Sequence, residues 1–554
     1  MKERDYQLEA VNSIFTYFGS NSGNPLVAMP TGTGKSVVIG SFVRKVMTTF
    51  AGQRIIMLTH VKELISQNYD KLLRVWPTAC AGIYSAGLGK KQHHFPVIFA
   101  GIASVHNCPE LFGHIDLVLV DECHLISPKE TTMYGSFILA LKRANPQLKV
   151  IGFTATPFRL GLGLLTEGTI FTDFCFDVTG RDAFNRFVQE GYLCPLIPKR
   201  TSMEYDVSQV GKSGGEYKLK ELQDTVDKDE LTYRAIQEMI AIGQVQDRKH
   251  WLIFASGIEH AEHVAAGLDS LGVSSVVIHS KMKSEQRDSA IADFIAGKYT
   301  AAVNNNVLTT GFDFPGIDLI GVLRPTSSPV LWVQMLGRGT RPKYAEGFDL
   351  TNPEGRVAAI QASDKHNCLV LDFAGNTRRL GPVNDPVLPR KKGKGKGLPA
   401  PVKICEQCST YNHASVRVCI CCGFEFPRFL HIKKTAFTDE VMVGEMPKVT
   451  VFQVSNVVYK QFVKPGKPPS IQVNYYCGLS LFKEFVCLEH PGYAGKKARE
   501  WWRARAECPP PQTTGHALKL LPELRVPTHI RVWVNKQFPE VIAADYTGTG
   551  FASS

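Results

Sequence analysis

The sequence predicts an α/β protein: two tandem parallel-sheet domains, then a small cysteine module, then a mixed α+β domain. Three observations point there. Short apolar runs alternate with helix-like segments through residues 1–380, the pattern of strands whose crossovers cover both faces of a parallel sheet. The alternation comes in two sets, joined near Gly191-Tyr192-Leu193-Cys194-Pro195. Beyond residue 380 it stops, at a stretch rich in proline, glycine and lysine that leads into five closely spaced cysteines.

In the first set the strand candidates are Pro25–Met29, Arg54–Thr59, Val97–Ala100, Leu117–Val120 and Val150–Thr154. In the second they are Trp251–Ala255, Ser275–His279, Ala301–Asn304, Leu319–Leu323 and Cys368–Asp372. Lys35–Thr48, Glu63–Val75, Ile258–Leu271 and Lys283–Ala296 read as helices between them. Pro382, Pro386, Pro389, Pro399 and Pro401 surround the run Arg390-Lys391-Lys392-Gly393-Lys394-Gly395-Lys396-Gly397, which marks a flexible basic linker. Alternating stretches follow at Val449–Val454, Ser470–Cys477 and His529–Asn535. The expected divisions are 1–190, 191–380, a linker at 381–403, a cysteine module at 404–428 and a last domain at 429–554.

Apolar and charged contents of 44% and 21% are those of an ordinary globular protein. No apolar run approaches the roughly 18 residues of a membrane span. The start, Met1-Lys2-Glu3-Arg4-Asp5, is too charged for a signal peptide. The expected location is the cytoplasm, of a bacterial cell or a phage-infected host. The net charge of +12 is one-sided: residues 390–554 carry 24 Lys and Arg against 12 Asp and Glu, and the remainder balances at 39 of each. A basic appendage behind a neutral body suits phosphate-backbone binding, and equally a solvated surface.

Three motifs carry chemistry. In Pro30-Thr31-Gly32-Thr33-Gly34-Lys35-Ser36, between a buried strand and a helix beginning Val37-Val38-Ile39, Gly32 and Gly34 let backbone N–H groups face phosphates. Lys35 can reach the β and γ phosphates, and the Ser36 hydroxyl can ligate Mg²⁺. Met29 stands where the strict pattern has its first glycine. In Asp121-Glu122-Cys123-His124, Asp121 ends an apolar strand, where ligands sit in open α/β sheets, and would hold Mg²⁺. Glu122 would orient and deprotonate an attacking water, and His124 would couple to the following motif. The third motif, Gln334-Met335-Leu336-Gly337-Arg338-Gly339-Thr340-Arg341, brings arginines after the second α/β set.

In this order the motifs resemble the superfamily 2 helicases, in the DEAD/DEAH-like branch with a DECH box. The resemblance implies two RecA-like domains with ATP between them. It makes Gln7, preceded by Arg4 and Tyr6, an adenine-reading glutamine, and Thr154-Ala155-Thr156 the segment that couples hydrolysis to domain movement. Thr309-Thr310-Gly311-Phe312-Asp313 resembles the motif that touches both nucleotide and nucleic-acid backbone. Gln334 becomes a γ-phosphate sensor, and Arg338 and Arg341 become arginine fingers, which stabilise charge on the transferring phosphoryl group. Track contacts fall by resemblance on Thr59, His60 and Lys62, on Ser104, on Ser256, on His279 and Ser280 with Arg287, and on Thr309. Such contacts go to phosphates and carry no base information. The pieces Arg4-Asp5-Tyr6-Gln7, Leu58–Leu64, Leu308–Asp313 and Leu371-Asp372-Phe373-Ala374-Gly375-Asn376 resemble RadD-type and restriction-subunit-type DNA helicases over about residues 4–376. The C-terminal domain resembles those of small phage-encoded helicases.

Cys405-x₂-Cys408 and Cys419-x₂-Cys422, ten residues apart, meet the tetrahedral demand of a structural Zn²⁺. Cys421 and His413 compete as ligands, and a redox Cys-x-x-Cys is the alternative chemistry. In the last domain Tyr475-Tyr476, Phe482, Phe485, Trp501-Trp502, Arg503 and Arg505 mix aromatic with basic residues, a composition that serves either core packing or base stacking.

The function expected is an ATP- and Mg²⁺-dependent DNA helicase or translocase in repair, recombination or replication, acting on single-stranded or forked DNA. A single-strand-binding protein or a nuclease would be its partner. The rivals are an RNA helicase, a duplex translocase that never parts the strands, and a non-catalytic nucleic-acid adaptor.

Overall fold

The computed structural model describes residues 3–127, 131–159, 163–168, 170–387, 400–427, 448–464, 466–478, 480–535, 539–548 and 551. The lysine-rich run of the linker lies outside the described residues. The chain divides into two compact units, 1–428 and 429–554.

The first unit holds both large sheets. Sheet one contains β1 (Pro25–Ala28), β2 (Ile55–Thr59), β3 (Ala81–Ser85), β4 (Lys90–Lys91), β5 (Val97–Gly101), β6 (Leu117–Asp121), β7 (Lys149–Thr154) and β8 (Asp173–Asp177), in the order β8-β1-β7-β6-β2-β5-β3-β4. Every pairing is parallel except β3 with β4. Sheet two contains β9 (Leu196–Lys199), β10 (Trp251–Ala255), β11 (Ser275–His279), β12 (Ala301–Asn305), β13 (Leu319–Leu323) and β14 (Cys368–Asp372), in the order β9-β14-β13-β10-β12-β11, all parallel.

The central strands are buried end to end because helices cover both faces. The pleat then sorts alternate residues. Ile55 and Met57 enter the core beneath the helices Asp5–Ser20 and Lys35–Thr49, while Ile56 and Leu58 enter the opposite core with Phe137 and Leu141 of the helix Met133–Ala144. Sheet two divides in the same way, Trp251 and Ile253 to one face, Leu252 and Phe254 to the other.

Periodicity alone does not reveal β3, β4, β8 or β9. These strands lie at or beside a sheet edge, where one flank needs no apolar cover, and β8 (Asp-Phe-Cys-Phe-Asp) is partly exposed. Residues 400–427 form a two-stranded ribbon, β15 (Val402–Ile404) and β16 (Tyr411–His413). It docks on the outer edge of sheet two: Thr410 bridges Lys199 of β9, Arg200 N donates to Ser409 O at 2.8 Å, and Tyr411 Oη donates to Glu204 at 3.1 Å. Covering the end of that edge blunts it as a template for another chain.

The second unit contains two antiparallel three-stranded sheets. One has β17 (Val449–Gln453), β21 (His529–Trp533) and β22 (Glu540–Asp545). The other has β18 (Asn456–Phe462), β19 (Ser470–Cys477) and β20 (Ser480–Val486). Tyr475, Trp502, Ile530 and Val532 share its core with Trp501, on the helix Gly492–Arg503. Among the described residues no helix is long and apolar enough to cross a membrane.

Candidate active site at the cleft between the two sheets

The phosphate loop follows β1 and opens the helix Lys35–Thr49. Gly32 and Gly34 sit at φ +90° and +84°, a backbone that an L side chain rarely adopts. A Cβ on Gly34 would also stand 2.5 Å from Gln7 Nε2. The loop is held from behind: Tyr6 Oη and Gln7 Nε2 each donate to Thr33 O at 2.9 Å, and Thr33 Oγ1 donates to Pro30 O at 2.7 Å. Gln7 Oε1 accepts from Arg4 N at 3.0 Å, so both ends of this amide already serve the loop and its own helix start. Lys35 and Ser36 are half-buried at the helix N-terminus, where unpaired N–H groups and the helix dipole favour an anion.

Asp121 ends β6, buried. Its oxygens accept from Asn68 Nδ2 at 3.0 Å and from Glu122 N at 2.9 Å. Burial, and next the Glu122 charge, push its carboxyl up to about 6, while Lys35 and Asn68 pull it down. The Asp121 carboxylate and the Ser36 hydroxyl are hard oxygen donors of the kind Mg²⁺ takes. Glu122 has φ +49°, ψ +45°, a left-handed conformation uncommon for a non-glycine residue and enriched at functional sites.

A polar chain crosses from one domain to the other. Gln334 Nε2, on the helix Pro329–Leu336, lies 3.1 Å from His124 Nε2. An amide nitrogen can only donate, so that imidazole nitrogen accepts and Nδ1 carries the proton. Nδ1 faces Thr154 Oγ1 at 3.0 Å and Glu122 Oε2 at 3.3 Å. Burial drives the His124 pKa down to about 3, so the ring is neutral and the hydrogen-bonded chain runs Gln334 to His124 to Thr154, with Glu122 Oε2 lying alongside it without a hydrogen bond. Thr154 Oγ1 in turn accepts from Thr156 N at 3.0 Å.

The arginine motif presses on the phosphate loop. Thr340 Oγ1 donates to Thr31 O at 3.2 Å, and a Cβ on Gly337 would stand 2.6 Å from Thr31 Cβ, so only glycine permits this approach. Arg341 passes beside Gly32 and donates from Nε to Asp313 at 2.5 Å. Arg338 is buried and donates to Phe312 O at 2.6 Å. Burial and the Arg341 charge lower its pKa to about 9, against the pull of Glu122, which leaves it charged at neutral pH. Gly311 O accepts from Gln67 Nε2 across the cleft.

The track candidates divide. His60 and Ser280 are exposed, and Lys62, Ser104 and His279 are half-buried. Thr59 is buried with an unpartnered hydroxyl at the end of β2. Ser256 lies just past the end of β10. It is buried and donates to Leu323 O at 3.0 Å. Thr309 is also buried, donating to Asn306 O at 3.0 Å. Arg287 pairs with Glu63 across the cleft at 2.8 Å.

Two residues of the site, Asn68 and Arg356, carry no motif signal. Asn68 fixes Asp121, and only its place as a buried polar residue on an amphipathic helix could mark it. Arg4 and Arg356 lie 4.9 and 3.9 Å from the Tyr192 ring centroid, which ties the glutamine motif, the interdomain junction and the helix Pro353–Gln361 together.

In the ribbon, Cys405, Cys408, Cys419 and Cys422 bring their sulfurs within 4.8 Å of one another, with Cys405–Cys422 and Cys408–Cys419 at 3.6 Å. A tetrahedral ion with Zn–S near 2.3 Å sets its sulfurs about 3.8 Å apart, so the donor set fits. Cys421 is exposed outside the group, and His413 is engaged by Ser415 and Asp385.

Residues 1–159 match the family model described as type III restriction enzyme, res subunit, and residues 232–343 match the helicase conserved C-terminal domain. A Saccharomyces cerevisiae protein named as an ATP-dependent helicase, IRC3, is 22% identical over 70% of this chain and 53% of its own length. The chain thus spans about half of that relative. A 51.5 kDa protein of a Lactococcus phage is 23% identical over 76% of this chain and 83% of its own length. An Escherichia coli type I restriction enzyme EcoAI endonuclease subunit is 23% identical over 61% and 44%. The two family models thus match the two halves of the motor in the order in which superfamily 2 helicases carry them, and the motifs converge in one cleft.

Proposed function

We propose that the chain is an ATP- and Mg²⁺-dependent DNA helicase or translocase, binding ATP between its two RecA-like domains. The observation that carries this reading is the polar chain from Gln334 through neutral His124 to Thr154, because it links the second domain to the coupling segment directly beside Glu122, whose Oε2 lies 3.3 Å from the His124 ring. Lys35 and the loop N–H groups hold the phosphates. Ser36 and Asp121 hold Mg²⁺, which neutralises charge on the phosphate oxygens. Glu122 orients water and takes its proton. Arg338 and Arg341 stabilise the charge that develops on the transferring group, and their arrival with the second domain couples turnover to closure.

The likeness to restriction-subunit-type helicases supports DNA as the track, with His60, Lys62, Ser104, His279 and Ser280 on its phosphates and Thr59 and Thr309 behind them. Repair, recombination or replication in the cytoplasm, with a single-strand-binding or nuclease partner, is the setting that fits. Cys405, Cys408, Cys419 and Cys422 hold one structural Zn²⁺, which metal analysis of the purified chain checks as one zinc per chain, lost in Cys405→Ser.

The test of the motor is steady-state ATPase at one fixed salt, with no nucleic acid, single-stranded, duplex and forked DNA, and single-stranded RNA. Salt is fixed because phosphate-driven binding varies steeply with it. Stimulation by DNA over RNA is expected. Preference for RNA overturns the track, and no stimulation by any of them, with Glu122→Gln unchanged from the parent, overturns the motor.

A further inference from the structure

The aromatic residues of the C-terminal unit separate onto two faces of the sheet β18-β19-β20. In register, Tyr475 pairs with Phe482, and Val473 with Glu484. These point into the core: Tyr475 is buried, and its hydroxyl and Trp501 Nε1 both donate to Glu484 at 2.8 Å. The neighbouring pairs, Tyr476 with Leu481, Asn474 with Lys483 and Gln472 with Phe485, point the other way. On β18, Lys460 pairs with Gln472 and Phe462 with Ser470, on that same outer face.

The outer face is apolar where a soluble sheet usually is not. Phe485 is 49% exposed, Phe462 39%, Tyr476 38% and Leu481 44%. The Phe462 and Phe485 rings meet at 5.1 Å over the central strand. Lys460 and Lys483 stand exposed among them. Glu484 is the one acidic residue on these three strands, and it faces inward. The face therefore offers flat rings with two cations between them and no carboxylate.

We propose that this face binds single-stranded DNA, with bases stacked on Tyr476, Phe485 and Phe462 and the backbone held by Lys460 and Lys483. Charge and ring placement select this occupant. A stacked base needs an exposed ring, an adjacent phosphate needs a cation, and a carboxylate would repel that phosphate. A protein partner docking through apolar contact alone would gain nothing from lysines set between the rings. The choice of DNA over RNA rests on the motor reading above; the binding face itself does not.

The test uses the full chain without nucleotide. Labelled oligo-dT and oligo-rU are titrated by fluorescence anisotropy across a salt series, for the parent, Phe485→Ala, Phe485→Trp and Lys460→Gln/Lys483→Gln. Phe485→Ala is expected to weaken oligo-dT binding about tenfold with an unchanged salt slope, and Phe485→Trp to retain it. The double lysine variant is expected to lower the slope by about 0.7 for each lysine. The substituted side chains are exposed, so unfolding midpoints and nucleic-acid-free ATPase should stay at the parent values. Photo-crosslinking with 5-iodouracil oligonucleotides reads the same face independently of the motor's own track, and adducts are expected at Tyr476 or Phe485. Adducts confined to residues 1–380, or full affinity in Phe485→Ala, overturn the proposal. Tighter, Phe485-dependent binding of oligo-rU overturns its assignment to DNA.

Discussion

Asp121 and Asp372 occupy matching places in the two sheets. Each ends a buried parallel strand at its C-terminal end, and burial pushes each carboxyl up to about 6. Their partners differ. Asp372 accepts from Thr377 N at 2.6 Å, Thr377 Oγ1 at 2.9 Å and Ala374 N at 3.2 Å, which ties off the turn after β14. Asp121 accepts from one side chain and its neighbour's N–H, and looks toward Lys35, Glu122 and the loop. A raised pKa at a strand end therefore marks burial in both, and only the inventory of donors separates a structural carboxylate from one placed for chemistry.

The largest expected effect lies on the chemical side of this comparison. Glu122→Gln should lower kcat for ATP by roughly 10²–10⁴, the usual worth of a positioned general base, with nucleotide affinity little changed. Steady-state ATPase with a fluorescent-nucleotide titration measures both. A loss below about tenfold would leave Glu122 no more catalytic than its neighbours.

Next comes stability, with opposite signs expected at the two aspartates. Asp372→Ala strands three buried donors and should cost about 3 kcal/mol locally. Hydrogen exchange in peptides spanning 368–380 measures it, since a chain of several domains need not unfold in one step. Asp121→Asn removes a sparsely partnered buried charge, so exchange around β6 should be unchanged or slower while ATPase is lost. Equal destabilisation by both variants would erase the distinction.

Two buried histidines extend the contrast. His124 has both ring nitrogens engaged, whereas His260 accepts from Ser256 N at 3.3 Å and leaves Nε2 without a partner. Burial, opposed by Asp227, lowers the His260 pKa to about 4. Below the ordinary histidine value near 6.5, the unfolded chain takes up a proton that the folded chain refuses. Stability present above pH 6.5 is thus lost as pH falls toward 4, by about 2 kcal/mol at pH 5. Hydrogen exchange in peptides covering 251–270 at pH 7.5 and 5, corrected for intrinsic rates, should show that loss, and His260→Gln should flatten it.

The phosphate loop, Asp121, Glu122 and the arginine motif are legible in the sequence because phosphate and metal chemistry fixes residue type and spacing within one short segment. Asn68 and the Tyr192–Arg356 contact are not, since each joins segments far apart in the chain and uses a residue type that serves many ends. In the C-terminal unit, composition shows aromatics and cations together, but Tyr475 and Tyr476 are adjacent and only strand register assigns one to the core and the other to solvent.

The smallest effect expected is at the rim of the cleft. The buried crossing at His124–Gln334 is shielded from water, while Glu63–Arg287 at 2.8 Å and Lys62–Ser284 at 2.7 Å bridge the domains where side chains are part-exposed. A part-exposed ion pair gains little over hydration and is screened by salt, so the coupling between Glu63 and Arg287 should be about 0.5 kcal/mol. A double-mutant cycle of Glu63→Ala and Arg287→Ala on the KM for ATP measures it, at low and high salt. The coupling should shrink as salt rises. A coupling above about 2 kcal/mol that ignores salt would instead give the rim the greater hold on the closed cleft, and the buried polar chain would then transmit closure without maintaining it.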